Sequence, residues 1–284
     1  MLINLEEPLN LKETLESGQA HRWYKKGNTY SGVIENQLVH IQQDNNQLSI
    51  FSSSDCDLKS LVFNYLRMDD NLLSIYSEIS KDLRVKKMTE QYYGLRLIRQ
   101  DPWECLVTYI CSATSNLKRI SQVVENMSNY YGSRVALNGD SRNTFPSAIQ
   151  IANGSEEILR ELGLGFRAPY VYQCALKIAE GLLSLAPLIK EEYFTAKDTL
   201  MQLNGVGPKI ADCVLVFSLE KLQAFPIDVW VKRALLDWYF PDAQNLSNKY
   251  LLDWSMNHFG EYAGYSQQYL FHGRRLLSKT TDLV

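Results

Sequence analysis

Between residues 20 and 52, apolar and polar side chains alternate in short runs broken at Lys25-Lys26-Gly27-Asn28, Glu35-Asn36-Gln37 and Asp44-Asn45-Asn46. A period of two lines one face of a strand, and polar breaks of this kind are turns, so the segment predicts an antiparallel meander. Before it, Leu9 to Ser17 predicts a short helix capped by Asn10 and ended by Gly18, which leaves the Gly18 backbone accessible. From about residue 55 the apolar spacing lengthens to a helical period. Asp101-Pro102-Trp103-Glu104 reads as a helix start, with Asp101 at N-cap and Glu104 placed to complete a capping box; Leu106, Tyr109 and Ile110 then face a core. Further helices are predicted at 116–130, 147–162, 169–185, 190–203, 209–219, 229–239, 247–259 and 262–278, separated by Gly, Pro, Asn or Asp. The expected fold is α+β, with an N-terminal antiparallel sheet portion over residues 1–85 followed by a mainly helical region over residues 86–284.

With 284 residues, 45% of them hydrophobic, the chain has ample apolar side chain for a buried core. A net charge of −3 excludes a surface coated with positive charge. Any nucleic-acid contact must then be a local patch, for which Arg84 with Lys86 and Lys87, Lys118 with Arg119, and Arg274 with Arg275 and Lys279 are the candidates. The five cysteines, Cys56, Cys105, Cys111, Cys174 and Cys213, are scattered, odd in number and form no C-x-x-C pair. A disulfide framework, a zinc site and an iron–sulfur cluster are therefore not expected. The four histidines show no metal-ligand spacing and are expected to be surface or hydrogen-bonded residues; no metal and no cofactor are expected. The first residues lack a basic region followed by an apolar core, and no apolar run approaches a membrane span, so an intracellular, soluble protein with no membrane partner is expected.

The chemistry concentrates in Leu203-Asn204-Gly205-Val206-Gly207-Pro208-Lys209-Ile210-Ala211-Asp212 and, downstream, Phe225-Pro226-Ile227-Asp228-Val229. Glycines at a helix start let the backbone turn tightly and bring its N–H groups to a phosphate, so Gly205, Val206 and Gly207 are candidates for DNA backbone contact. Lys209 follows just inside the helix. A lysine there meets an unfavourable dipole and, where water is excluded, gives up its proton more readily and becomes a nucleophile. Asp228 reads as the N-cap of the next helix, its carboxylate aimed at the mouth of the hairpin. Spacing alone leaves two readings open: a Schiff-base lysine with an acidic partner, or a backbone clamp in which Lys209 is one more phosphate contact and Asp228 only a cap.

Taken together with other segments, the chain resembles the helix-hairpin-helix DNA glycosylase superfamily, and specifically the 8-oxoguanine DNA glycosylases. The resemblance runs through Ser17-Gly18-Gln19-Ala20-His21-Arg22-Trp23, Arg99-Gln100-Asp101-Pro102-Trp103-Glu104-Cys105-Leu106, Ile110-Cys111-Ser112 with Asn116 and Arg119, Leu162-Gly163-Leu164-Gly165-Phe166-Arg167-Ala168, the hairpin, and Tyr262-Ala263-Gly264-Tyr265-Ser266-Gln267 ending in Leu270-Phe271. It implies a sheet domain packed on two helical subdomains with the active site in the cleft between them. It also implies excision of 8-oxoguanine from double-stranded DNA, preferentially opposite cytosine, by base flipping. Lys209 would attack C1′, Asp228 would stabilise the developing positive charge, and an imine would permit strand cleavage. The Gly18 carbonyl would read the N7 proton that distinguishes 8-oxoguanine from guanine. Phe271 would stack on the flipped base, Cys213 would pack on its other face, and Gln267 would bond its Watson–Crick edge.

Thr114, Arg119, Phe166 and Arg167 match positions at the gap and the orphan base, with the two arginines suited to cytosine. The chain departs from the pattern at Thr114, where close relatives carry asparagine, and at Trp230, where relatives often carry histidine. The implied protein is a monomer, cytoplasmic in a prokaryote or nuclear in a eukaryote. The alternatives are a glycosylase for another damaged base and a non-catalytic DNA-binding module.

Overall fold

The structure, a computed structural model, describes residues 1–54, 57–243 and 245–281, with side chains described to residue 277; Cys56 and the side chain of Lys279 lie outside the described residues. In chain order, β1 (Leu2–Asn4) and α1 (Leu11–Leu15) lead into β2 (Tyr24–Lys26), β3 (Thr29–Ile34), β4 (Gln37–Asp44) and β5 (Gln47–Ser52). The strands form one antiparallel sheet ordered β1-β5-β4-β3-β2. The expected meander is β2 to β5, with β1 added at the β5 edge. Alternation does what the sequence requires: along β3, Tyr30 and Ile34 point inward while Thr29 and Val33 are half-exposed. Asn10 caps α1 by accepting the Glu13 N–H at 3.1 Å, and Gly18 follows at φ +89, a left-handed value that glycine adopts without strain.

The helical part comprises α2 (Leu58–Tyr65), α3 (Leu72–Ile79), α4 (Leu83–Gln91), α5 (Pro102–Cys111), α6 (Leu117–Tyr131), a hairpin of β6 (Arg134–Leu137) and β7 (Asp140–Asn143), then α7 (Ala148–Ala152), α8 (Glu156–Leu159), α9 (Ala168–Ala179), α10 (Tyr193–Met201), α11 (Pro208–Ser218), α12 (Val229–Tyr239), α13 (Asn248–Phe259) and α14 (Ala263–Thr281). Its core is one apolar cluster that runs from Leu72 to Leu270, whereas a smaller cluster from Leu9 to Met68, with Ile98, lies under the sheet. Among the described residues no helix is long and apolar enough to cross a membrane.

Two expectations are corrected, and one element is added. The helix expected over 147–162 is broken: Asn153-Gly154-Ser155 ends α7 and starts α8, and Gly163, at φ +100, interrupts the wide π-helical turn Arg160–Leu164 that follows. The β6–β7 hairpin, turning at Asn138-Gly139 with φ of 50° and 82°, was not anticipated. Only half of the capping box at α5 forms: Asp101 accepts the Glu104 N–H at 2.8 Å, but the Glu104 carboxylate turns to Arg22 instead, 3.8 Å away. The ion partner of the buried Arg22 is Glu125, at 3.0 Å, with Glu104 lying alongside.

Polar groups stitch the two parts together where the site lies. The buried Gln19 amide donates to the Thr14 and Arg96 carbonyls and accepts the Ile98 N–H at 2.9 Å, satisfying both ends. Arg67 and Arg99 both reach Glu220 at 2.8 Å. The Tyr109 hydroxyl of α5 donates to the Gln19 carbonyl at 3.3 Å and the Gln268 amide of α14 to the Ser17 carbonyl at 3.5 Å, which ties the Ser17-to-Arg22 segment to both helices.

Candidate active site

The hairpin sits between α10 and α11. Gly205, at φ +82, lies so close to Tyr170 that a Cβ would come within 2.5 Å of its ring, so no other residue fits that turn. Gly207 is the N-cap of α11, and with no side chain to cap the helix its first N–H groups are left for an outside anion. Gly205 and Gly207 are exposed, whereas Val206 is buried and its N–H is spent on the Leu203 carbonyl at 3.1 Å. Behind the hairpin, Asp212 accepts from Tyr193 at 2.7 Å and from Lys197 at 2.8 Å, which locks α10 to α11.

Lys209, in the first turn of α11, is half-buried. Its Nζ donates to Ser112 Oγ at 2.9 Å and lies 5.3 Å from the centre of the Tyr109 ring. Asp228 is the N-cap of α12, its Oδ1 accepting the Val231 N–H at 2.8 Å. Burial raises its carboxyl above the usual range, while that bond and the nearby Lys209 charge pull it back. The cap reading is therefore correct as geometry, and the carboxylate is still near enough to feel the Lys209 charge. Burial pushes the Cys213 thiol up to about 12, so it is a neutral, packed group one turn along α11 from Lys209.

The lesion-binding candidates also come together. A Cβ on Gly18 would lie 3.3 Å from Phe271 and 3.2 Å from Leu117, which puts the Gly18 backbone against the Phe271 ring. Gln267 is one turn before Phe271 on α14, and its amide oxygen is buried without a hydrogen-bond partner among the described residues. Such an acceptor is uncommon in a finished core and common where a ligand belongs.

The gap residues divide. Thr114, Arg119 and Phe166 are exposed, Phe166 by 52%. Arg119 lies in the first turn of α6, with Nη2 3.4 Å from the Gly163 carbonyl. Arg167 is buried, and its guanidinium is committed to the carbonyls of Ala113, Thr114 and Leu164, with the Phe166 ring 4.4 Å away. Of the three basic patches, Arg84 sits over Tyr239, Lys86 is paired with Glu90, and Arg274 is paired with Asp237 at 2.8 Å. Lys118 and Arg119 remain exposed at the start of α6.

Sequence reasoning missed two residues. Ser112, which holds Lys209, is the C-cap of α5; it lies in a segment that carries the resemblance, but nothing there points to a role for it. His21, expected at the surface or hydrogen-bonded, is buried, has no hydrogen bond to its ring among the described residues, and stands edge-on to Tyr109 at 6.4 Å. Burial and then the Lys209 charge push it down to about 4, so it is a neutral imidazole beside the lysine. Among the described residues no group of His, Cys, Asp or Glu is arranged to hold a metal ion.

Residues 1–106 match the N-terminal domain of 8-oxoguanine DNA glycosylases, and residues 107–253 match the HhH-GPD superfamily of base excision DNA repair proteins. The N-glycosylase/DNA lyase OGG1 of Arabidopsis thaliana is 32% identical over 96% of this chain and 79% of its own length. The N-glycosylase/DNA lyase of Saccharomyces cerevisiae is 30% identical over 95% of this chain and 84% of its own. The Clostridium acetobutylicum 8-oxoguanine glycosylase/lyase, solved with double-stranded DNA carrying cytosine opposite 8-oxoguanine, superposes with a TM-score of 0.91 at 29% identity, covering 98% of each chain.

Proposed function

This chain belongs to the helix-hairpin-helix family of base excision DNA repair proteins, with the N-terminal domain of 8-oxoguanine DNA glycosylases, and we propose that it is a bifunctional N-glycosylase and AP lyase that excises 8-oxoguanine from double-stranded DNA. The observation that carries this reading is the placement of the Lys209 amine at the start of α11, with the half-buried Asp228 carboxylate close enough to feel its charge. A nucleotide reaches that point only when flipped out of the stack.

In this reading the Lys209 amine, having lost its extra proton, forms a bond to C1′ as the bond from C1′ to the base nitrogen breaks. The base leaves with that electron pair and takes up a proton. The ring oxygen then departs from C1′, leaving an imine to Lys209, and loss of a C2′ proton expels the 3′ phosphate. Asp228 faces the cation that builds on the sugar; a charge of that kind in a dry site is worth roughly 3 kcal/mol of barrier. The Gly18 carbonyl, to which no hydrogen bond runs among the described residues, accepts the N7 proton of the lesion and faces a lone pair on guanine. Phe271 stacks on the base, Gln267 bonds its edge, and Cys213 packs against its far face.

Arg119 reaches the orphan base and prefers the acceptors of cytosine, with Arg167 holding the Thr114 loop in place beside Phe166. The amides of Gly205 and Gly207 take a backbone phosphate, Val206 anchoring the turn between them. The same reading divides the chain into a sheet unit, 1–85, and a helical unit, 86–284, whose two parts flank the cleft. The enzyme acts as a monomer wherever the genome is held, cytoplasm or nucleus. Incubation with a duplex containing one 8-oxoguanine tests the activity: released base and a nicked strand are expected, and an intact duplex after long incubation contradicts it.

A further inference from the structure

The catalytic lysine is held from an unexpected side. Lys209 stands at the N-terminal end of α11, where the helix dipole opposes a cation. Its Nζ reaches back to Ser112, the C-cap of α5, where the dipole has the opposite sign. The Ser112 hydroxyl has a single proton, which it donates to the Tyr109 carbonyl at 2.6 Å. Toward the lysine it is therefore an acceptor only. The face of the Tyr109 ring lies on the same side, 5.3 Å from Nζ. An acceptor-only hydroxyl, a helix C-terminus and an aromatic face all attract the charged amine.

We propose that Ser112 is a positioning residue that parks the Lys209 amine at the end of α5 in the DNA-free enzyme, and that the flipped nucleotide must draw the amine away from it. The proposal rests on Lys209 being the nucleophile. Parking holds the amine in one place before DNA binds, and its extra proton must be shed before attack. The other ionisable groups around Nζ are His21 from the Gly18 turn, Tyr109 from α5, Cys213 from α11 itself and Asp228 from α12. His21, Tyr109 and Cys213 keep one protonation state between pH 5 and 9, and Asp228 has no hydrogen bond with Ser112 among the described residues.

The test is the pH profile of single-turnover borohydride trapping on 8-oxoguanine duplex, measured for the wild type, Ser112→Ala and Ser112→Thr. Ser112→Ala removes the acceptor, so the midpoint of its acid limb moves to lower pH by about one unit, which is roughly tenfold faster trapping on that limb. Ser112→Thr keeps the hydroxyl and the wild-type midpoint, which separates the effect from a general loosening of the loop. A Ser112→Ala midpoint equal to that of the wild type overturns this proposal alone. Failure of the wild type to trap at any pH overturns the assignment of Lys209 as well.

Discussion

The buried Arg167 guanidinium donates to the Thr114 carbonyl at 3.0 Å and holds Thr114 at φ +51. A β-branched residue is strained in that left-handed region, whereas asparagine enters it readily. Arg167 thus acts on the Thr114 loop from beneath, and in the proposed reading direct contact with the orphan base falls to the exposed Arg119.

Thr114→Asn is expected to relax the loop and raise stability by about 1 kcal/mol, a gain of a few degrees in Tm. The longer amide also fills more of the space vacated by the flipped base, so discrimination for cytosine should sharpen. Thermal unfolding and excision rates opposite C, A, G and T check both halves. A lowered Tm would mean that Thr114 makes compensating contacts, and equal rates for all four bases in both proteins would remove Arg119 from base reading.

Asp228 is the N-cap of α12, and substitution separates that role from the catalytic one proposed for it. Asparagine caps a helix about as well as aspartate, so Asp228→Asn should keep Tm nearly unchanged while slowing base release by roughly 100-fold or more. Lesion affinity should change far less, because the charge is needed chiefly in the transition state. Asp228→Ala should lose the same rate and, in addition, about 1 kcal/mol of stability from the cap. Parallel loss of affinity and rate in Asp228→Asn would make the residue a cap and nothing more.

Glu104 and His21 line a cavity of about 220 Å³ at the seam between sheet and helices, and they pull stability in opposite directions with pH. Burial pushes the Glu104 carboxyl up to about 7 from an ordinary 4.5, with Arg22 opposing the rise. A raised acid contributes fully below pH 4.5 and loses that contribution as pH climbs through 7. His21 is lowered from 6.5 to about 4, so its contribution is present above pH 6.5 and lost as pH falls through 4. Relative to the wild type, Glu104→Gln should therefore gain stability toward pH 8, and His21→Phe toward pH 4, each by about 3 kcal/mol. Chemical denaturation at pH 4, 6 and 8 reads both slopes; a gain independent of pH would mean that packing, not charge, sets the difference.

Much of this was legible in the chain because the signals were local. Asn10, Asp101 and Asp228 each cap the helix that their positions predict, and two glycines ahead of Pro208 announced the hairpin. The β6–β7 strands are four residues each, too short for alternation to stand out, although Asn138-Gly139 carried a turn signal. What could not be read depends on groups brought together from distant parts of the chain. Nothing in the sequence says that Arg167 spends its donors on the Ala113 and Thr114 carbonyls, that Glu104 leaves its cap for Arg22, or that α11 lays Lys209 against the end of α5.

The central claim, that Lys209 forms the covalent bond to the sugar, is tested most directly by locating the adduct. Wild-type protein reduced with borohydride on 8-oxoguanine duplex, digested and mapped by mass spectrometry, should carry the sugar remnant on the Lys209 Nζ. Lys209→Gln should give no adduct while still binding lesion DNA. An adduct mapped to another amine, or an undiminished yield from Lys209→Gln, would contradict the account.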